Sequence, residues 1–397
     1  MSASRRHVTL ALVLVGVLAL TLAAGCSSGK TTDGTSTTKE PIKIGAVVSL
    51  TGTYAGLGEP EKNTIDMEVT RINDAGGIHG RDLKVIIQDD GTDTAKAQSV
   101  TAKLIDQDKV LAIMGATGSG QTMAMRGEVD RAAIPQVSMA GATVITAQFD
   151  PLVFQTPWSN KIVIPFTLAY MQKQGITKIG LISDTGGFGK DGAEVVTAEA
   201  PKYGMQIVAA ETFNPGDTDM SAQLTRIKGS GADVVLMINA GAEASTVAKN
   251  RKSLGITIPL YGTHGNARKE FIDGAAGAAE GVRFAAGKIL IPETYGKDTE
   301  EYKVATDFVS RYQAAYGAAP STFAGHAYDA IHIIAEAAKR VTGELTSKAL
   351  RDEIENTKGF VGIGGTFNFS STDHNGLTEA DIVMYEIKNG TWQLAPK

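Results

Sequence analysis

The chain reads as an α/β protein of two doubly wound, parallel-sheet lobes joined by a multi-strand hinge. Three observations predict this. Continuous apolar runs of strand length alternate with helical stretches from residue 41 onward, the pattern of parallel strands covered on both faces. Strand starts recur at short, even steps in two separate ladders, at 83, 110 and 134 and again at 178, 206, 233 and 258. About 370 residues follow the first segment, more than the ~250–300 at which a single core stops growing, so two cores are expected.

In the first ladder Ile42–Ser49 is a strand and Glu59–Ala75 a helix, with Ile65, Val69 and Ile72 on one face. Pro60 lies in the first turn of that helix and Gly76-Gly77 ends it. Leu83–Gln88, Val110–Gly115 and Ile134–Met139 are further strands, with helical stretches at about 94–107 and 121–133 between them. The second ladder runs Lys178–Ser183, Gln206–Phe213, Asp233–Ile238 and Ile258–Gly262. Val282–Gly287 follows as a strand, then helices at Thr299–Tyr316, Phe323–Val341 and Ser347–Asn356. Asp381–Lys388 and Thr391–Leu394 form a hairpin about Asn389-Gly390, a strong two-residue turn signal. The late strand and helices are expected to carry the chain back to the first lobe, and the hairpin to close the second. Lobe one is then 41–159 plus about 288–363, and lobe two about 160–287 plus 364–397. Such crossings make a hinge, and a cleft between lobes is a usual place for a ligand.

The first residues carry an address. Arg5 and Arg6 precede an apolar run from Val8 to Leu22, and Ala23-Ala24-Gly25-Cys26 follows. A basic start, a short apolar core and a small-residue exit compose a secretory signal over residues 1–25, too short for a stable span. Cys26 is the one cysteine of the 397 residues. The stretch resembles the lipobox of bacterial lipoproteins, with Ala23 where Leu is usual, and the resemblance implies lipid attachment at Cys26. Residues 26–40 are mostly Ser, Thr, Gly and Lys, the composition of a flexible tether. Removal of the signal leaves 36 basic against 43 acidic residues, a net charge of about −7. That mildly acidic balance argues against a nucleic-acid partner. One cysteine permits no internal disulfide, so stability must come from the cores.

Catalysis finds little support. Gly115–Gly120 does not have dinucleotide spacing, and Gly189-Lys190 is followed by Asp191 where a phosphate loop needs Ser or Thr. The six histidines show no paired ligand spacing, so neither a metal nor a cofactor is expected. Asp89-Asp90 follows a strand and reads as turn chemistry.

Several strings read together identify a family. They are Ile42 to Gly58 (IKIGAVVSLTGTYAGLG), Ile72 to Arg81 (INDAGGIHGR), Asp89 to Thr94, Gly115 to Ser119, Ser138 to Thr143 and Phe154 to Thr156. Over nearly all of 41–397 they are similar to type I periplasmic ligand-binding proteins, specifically the leucine/isoleucine/valine-type substrate-binding proteins of ABC transporters. The resemblance implies an exported monomer, held by lipid at the outer face of the membrane, that closes on a small carboxylate or amino acid and serves a membrane permease. A lipoprotein sensor of the same fold is the alternative. It also implies that Ser119 and Thr143, with Gly118 and Ala142 beside them, hold the ligand carboxylate, and that the Gly141 carbonyl accepts from an amino group. The position of Ser119, at a helix N-terminus after a strand, independently favours an anion.

Three departures shape the expected ligand. His264 stands where the family has a Glu for the ligand ammonium. Phe188 replaces a usual Tyr, and Gly241 lies where an aromatic is common. With Tyr54 and Leu57 on the entrance loop, these changes favour an aromatic or aliphatic acid beside the branched-chain amino acids. Trp158 is placed either to stack on such a ligand or to pack the hinge.

Overall fold

A computed structural model describes residues 39–396. The signal, Cys26 and nearly all of the tether lie outside the described residues. No helix among the described residues is long and apolar enough to cross a membrane.

The first lobe opens with β1 (Ile42–Val48), α1 (Ala55–Asp74), β2 (Leu83–Asp89), α2 (Thr94–Asp106) and β3 (Ile113–Gly115). It continues with α3 (Ser119–Ala132), β4 (Gln136–Ser138), α4 (Val144–Ala147) and β5 (Val153–Gln155). Its five strands are parallel, in the order β2-β1-β3-β4-β5. The second lobe takes α5 (Asn160–Lys173), β6 (Lys178–Asp184), α6 (Gly187–Glu199), β7 (Gln206–Phe213) and α7 (Ser221–Gly229). Then come β8 (Val234–Ile238), α8 (Glu243–Ser253), β9 (Leu260–Tyr261), α9 (Lys269–Gly274) and β10 (Arg283–Gly287). The chain next builds α10 (Glu300–Tyr316), α11 (Thr322–Arg340) and α12 (Ser347–Glu355), with α11 packed on α1. A small hairpin, β11 (Phe360–Val361) and β12 (Thr366–Phe367), precedes β13 (Ile382–Lys388) and β14 (Thr391–Leu394). The second sheet is ordered β14-β13-β10-β9-β8-β6-β7.

The apolar runs explain the layers. Every residue of β8 and all but the first of β6 are buried, as strands covered on both faces must be. The β13–β14 hairpin turns at Asn389 and Gly390, both at positive φ, and pairs antiparallel to β10. The second lobe is therefore a mixed sheet. β10 itself belongs to this sheet, so the return to the first lobe begins only after Gly287.

Several elements differ from expectation in length. α1 starts at Ala55 instead of Glu59, because Gly56 and Gly58 hide its first turn from any periodic signal. Ladder pairing covers only Ile113–Gly115, Gln136–Ser138 and Leu260–Tyr261 of three longer apolar runs. α4, β5 and the β11–β12 hairpin are too short to show a period.

The two parallel ladders share one strand order. β2-β1-β3-β4-β5 and β7-β6-β8-β9-β10 each reverse direction of growth after the first pair. Ligand crevices in such sheets lie beyond the strand carboxyl ends at that switch point. Here these ends belong to β1 and β3 in one lobe, and to β6 and β8 in the other. At the crossings, Trp158 packs so tightly over Gly287 that a side chain at 287 would run into the indole. Asn375 donates to the Gln155 and Pro157 carbonyls at 3.2 and 2.7 Å, tying the last crossing to the first.

Candidate ligand site between the lobes

The two switch points face each other across a narrow cleft. It holds about 340 Å³ counting all space between the atoms, and only about 20 Å³ of that admits the centre of a water molecule. The second figure, the one that compares with the ~300–1,000 Å³ of ligand sites, is far smaller, so the cleft is nearly filled by its own side chains.

Lobe one supplies most of the wall. Tyr54 and Leu57 come from the start of α1, and Thr117, Gly118 and Ser119 from the turn between β3 and α3. Gly115 bends this turn at φ +106°, so close to β1 that any side chain would meet the Val47 carbonyl. Met139, Ala140 and Gly141 follow β4, and Phe323 and His326 project from α11. Lobe two closes the space with Phe188, Ala240, His264 and Gly265. No Asp, Glu, Lys or Arg lines it.

Of the residues expected at the site, Tyr54, Leu57, Gly118, Ser119, Gly141, Phe188 and His264 line the cavity. Ala142 is one layer back and donates its N–H to Ser119 Oγ at 3.2 Å. Thr143 lies outside the lining. Its hydroxyl accepts from the Lys161 N–H at 3.0 Å, and its own N–H donates to Asp191 Oδ2 at 2.8 Å. Gly241 sits behind Ala240, its carbonyl taken by Arg268 Nη2 at 2.7 Å. Trp158 is fully buried beside His326 at 5.5 Å and is also outside the lining, which leaves it packing the hinge. Asp89 and Asp90 accept from Leu50, Gly91 and Thr92 backbone N–H groups, as turn residues do. Thr117, Phe323 and His326 were not among the expected residues. Thr117 stands in a matched string, but the α11 pair carries only the apolar period of a core helix.

α3 begins with Gly118 as a cap that offers no side chain, and its first turn has no acidic residue. Its amide end therefore keeps its affinity for an anion, beside the Ser119 hydroxyl. Charged groups lie behind the wall. Glu61 is hydrogen-bonded to Thr117, and burial pushes its carboxyl well above the usual range. Asp184 accepts from the Gly186 N–H at 2.8 Å and is pushed up to about 6 by burial. Arg268 donates to the carbonyls of Ala240, Gly241 and Gly265, and burial lowers it to about 10. Both His264 and His326 are pushed down to about 3 by burial, so both imidazoles are neutral.

The lobes are closed on one another. The Ala242 N–H donates to the Thr53 carbonyl at 3.2 Å across the cleft. Asp191 on α6 reaches Thr143 and Val144 in the same way.

Paired switch points around a cleft lined by no charged residue define a two-lobed ligand-binding protein. Comparison with known proteins agrees. The chain belongs to the periplasmic binding protein family, whose pattern matches residues 41–391. It is 25% identical over 350 residues to a Leu/Ile/Val-binding protein homolog of Brucella melitensis, covering 87% of this chain and 91% of that one. An extracellular ligand-binding receptor from Rhodopseudomonas palustris superposes with a TM-score of 0.84 at 28% identity, over 89% and 99% of the two chains. The branched-chain amino acid transporter substrate binding protein LivJ of Streptococcus pneumoniae, solved with isoleucine, gives 0.79 at 31%, over 89% and 98%.

Proposed function

We propose that this protein is the extracytoplasmic substrate-binding protein of an ABC importer. It captures a small carboxylate, a branched-chain amino acid or a related hydrophobic or aromatic acid, by lobe closure, and performs no catalysis. The observation that carries this reading is the open N-terminus of α3 with Ser119 inside a cavity that the second lobe seals. The transporter role named for the Streptococcus pneumoniae neighbour supports the importer over the sensor alternative, which would use the same closed form.

A thermal-shift screen of small acids, followed by calorimetry, tests it. Ser119→Ala is expected to weaken the best acid roughly ten- to hundredfold, the worth of one hydrogen bond to a charged group at ~1.5–3 kcal/mol. Phe188→Ala removes a lobe-two contact and should weaken affinity while also raising the open fraction in solution scattering. Parent-like binding by both variants, or no acid bound at all, would refute the assignment.

Cys26 is the proposed lipid anchor and the protein a tethered monomer. Cys26→Ser is expected to move it from the membrane fraction to the soluble one. An unchanged distribution would remove the anchor from the scheme.

A further inference from the structure

On two residues that line the cavity, three buried ring atoms have no hydrogen-bond partner: Nδ1 and Nε2 of His264, and Nδ1 of His326. They come from opposite lobes. His264 sits on the short turn after β9, and His326 on α11. The two side chains are deeply buried, at 4% and 2% exposure.

Packing holds both rings in place. His264 stands edge-on to Phe188, with centroids 5.1 Å apart, and its Nε2 occupies the room that Gly141 leaves by having no side chain. His326 is edge-on to Trp158 at 5.5 Å and to Phe323 at 5.7 Å. Two neutral imidazoles therefore present unmet polar atoms to one small space. A buried polar atom without a partner is costly, so a native structure that keeps several together asks for an explanation.

We propose that His264 and His326 form an imidazole-pair subsite for an uncharged hydroxyl of the ligand, and that the natural ligand is a hydroxy-substituted monocarboxylic acid. This rests on the reading that a small carboxylate binds at the start of α3. A neutral imidazole offers one donor and one acceptor, and a hydroxyl is both, so the pair and the group complement each other. An ammonium only donates. It also brings a charge into a space where no carboxylate lines the wall, and a buried charge needs a partner. Nor do the groups behind the wall supply one. Glu61 gives one oxygen to Thr117 and is pushed well above the usual carboxylate range by burial, and Asp184 is engaged with Gly186 and Asn239. The nearest cation there, Arg268, is bonded to the carbonyls of the lining residues Ala240 and Gly265.

Calorimetry on the purified protein with matched acids decides the matter. Leucine, its hydroxy analogue leucic acid and the unsubstituted isocaproate share one skeleton; benzoate and para-hydroxybenzoate form a second set. In at least one set the hydroxy acid is expected to bind about tenfold or more tightly than its parent acid, since a site built for a hydroxyl penalises an analogue without it. It should also outbind leucine. In His264→Leu and His326→Leu that ratio is expected to fall below about twofold. Leucine as the best ligand, no hydroxyl advantage, or an advantage that survives both substitutions overturns the proposal. Should a variant not fold, the ranking on the parent protein still decides. Binding by none of these acids is a different result: it overturns the carboxylate reading, and this inference with it.

Discussion

Gly187→Val is expected to lower affinity for the best-binding acid about a hundredfold or more and to leave the ligand-free protein folded with unchanged stability. The residue opens α6 in lobe two and meets lobe one at backbone. A Cβ there would lie 2.6 Å from the Gly120 nitrogen and 2.9 Å from its Cα. Helix α3 cannot yield at that point, because those atoms sit in the turn that carries Ser119. Valine would therefore hold the lobes apart. Its backbone has no positive φ to resist substitution, so the open protein loses nothing. Affinity of a closing protein includes the lobe-two contacts made only when closed, and moving a population from 1:99 to 99:1 takes ~5.5 kcal/mol of differential binding. A variant that cannot close forfeits that part. Calorimetry gives the affinity, and solution scattering shows whether ligand still compacts the molecule. Gly187→Ala should fall between valine and the parent. Compaction and affinity like the parent's in the valine variant would mean that these glycines are not the closing contact.

The architecture was largely legible because strand and helix periods are local. Runs such as Ile42–Val48 and Lys178–Asp184 are mostly apolar, and the even spacing of the strands announces parallel ladders. The site residues came from the family resemblance rather than from periodicity, and Tyr54, Ser119, Gly141, Phe188 and His264 do line the cavity. His326 and Phe323 were not among them. They lie on α11, where nearly every residue is buried, and a residue facing a ligand there has the same period as one facing the core. Thr143 illustrates the opposite limit. Its hydroxyl accepts from the Lys161 N–H and its own N–H donates to Asp191, and no local pattern tells such a side chain from one that faces a ligand. Asp191 was legible only as the residue that spoils a phosphate-binding motif. Its partners, Thr143 and Val144, lie almost fifty positions away on the other lobe, and no local pattern signals them.

That carboxylate carries the second large expectation. Asp191 Oδ2 accepts from the Thr143 N–H at 2.8 Å, and Oδ1 from the Val144 N–H at 3.0 Å. Oδ2 also takes Asn160 Nδ2 at 2.8 Å, which fixes the carboxylate from its own side of the cleft. The geometry is that of a helix cap supplied by the opposite lobe: α4 starts at Val144, has no side-chain cap of its own, and gains an acid at its amide end only on closure. Opening returns Asp191 to water, so the net worth of the latch is less than its gross hydrogen bonding. Two inter-lobe bonds to a charged acceptor, at ~1.5–3 kcal/mol each before that discount, leave about 2–4 kcal/mol, or roughly thirty- to eight-hundred-fold in affinity. Asp191→Asn keeps the shape but turns one acceptor into a donor that faces an N–H, so it should cost nearly as much as Asp191→Ala. Because the bonds exist only in the closed form, the loss is expected in the dissociation rate, with little change in association. Stopped-flow measurement of ligand release, followed by tryptophan emission, separates the two rates. Release from both variants within about twofold of the parent would show that closure does not depend on this carboxylate.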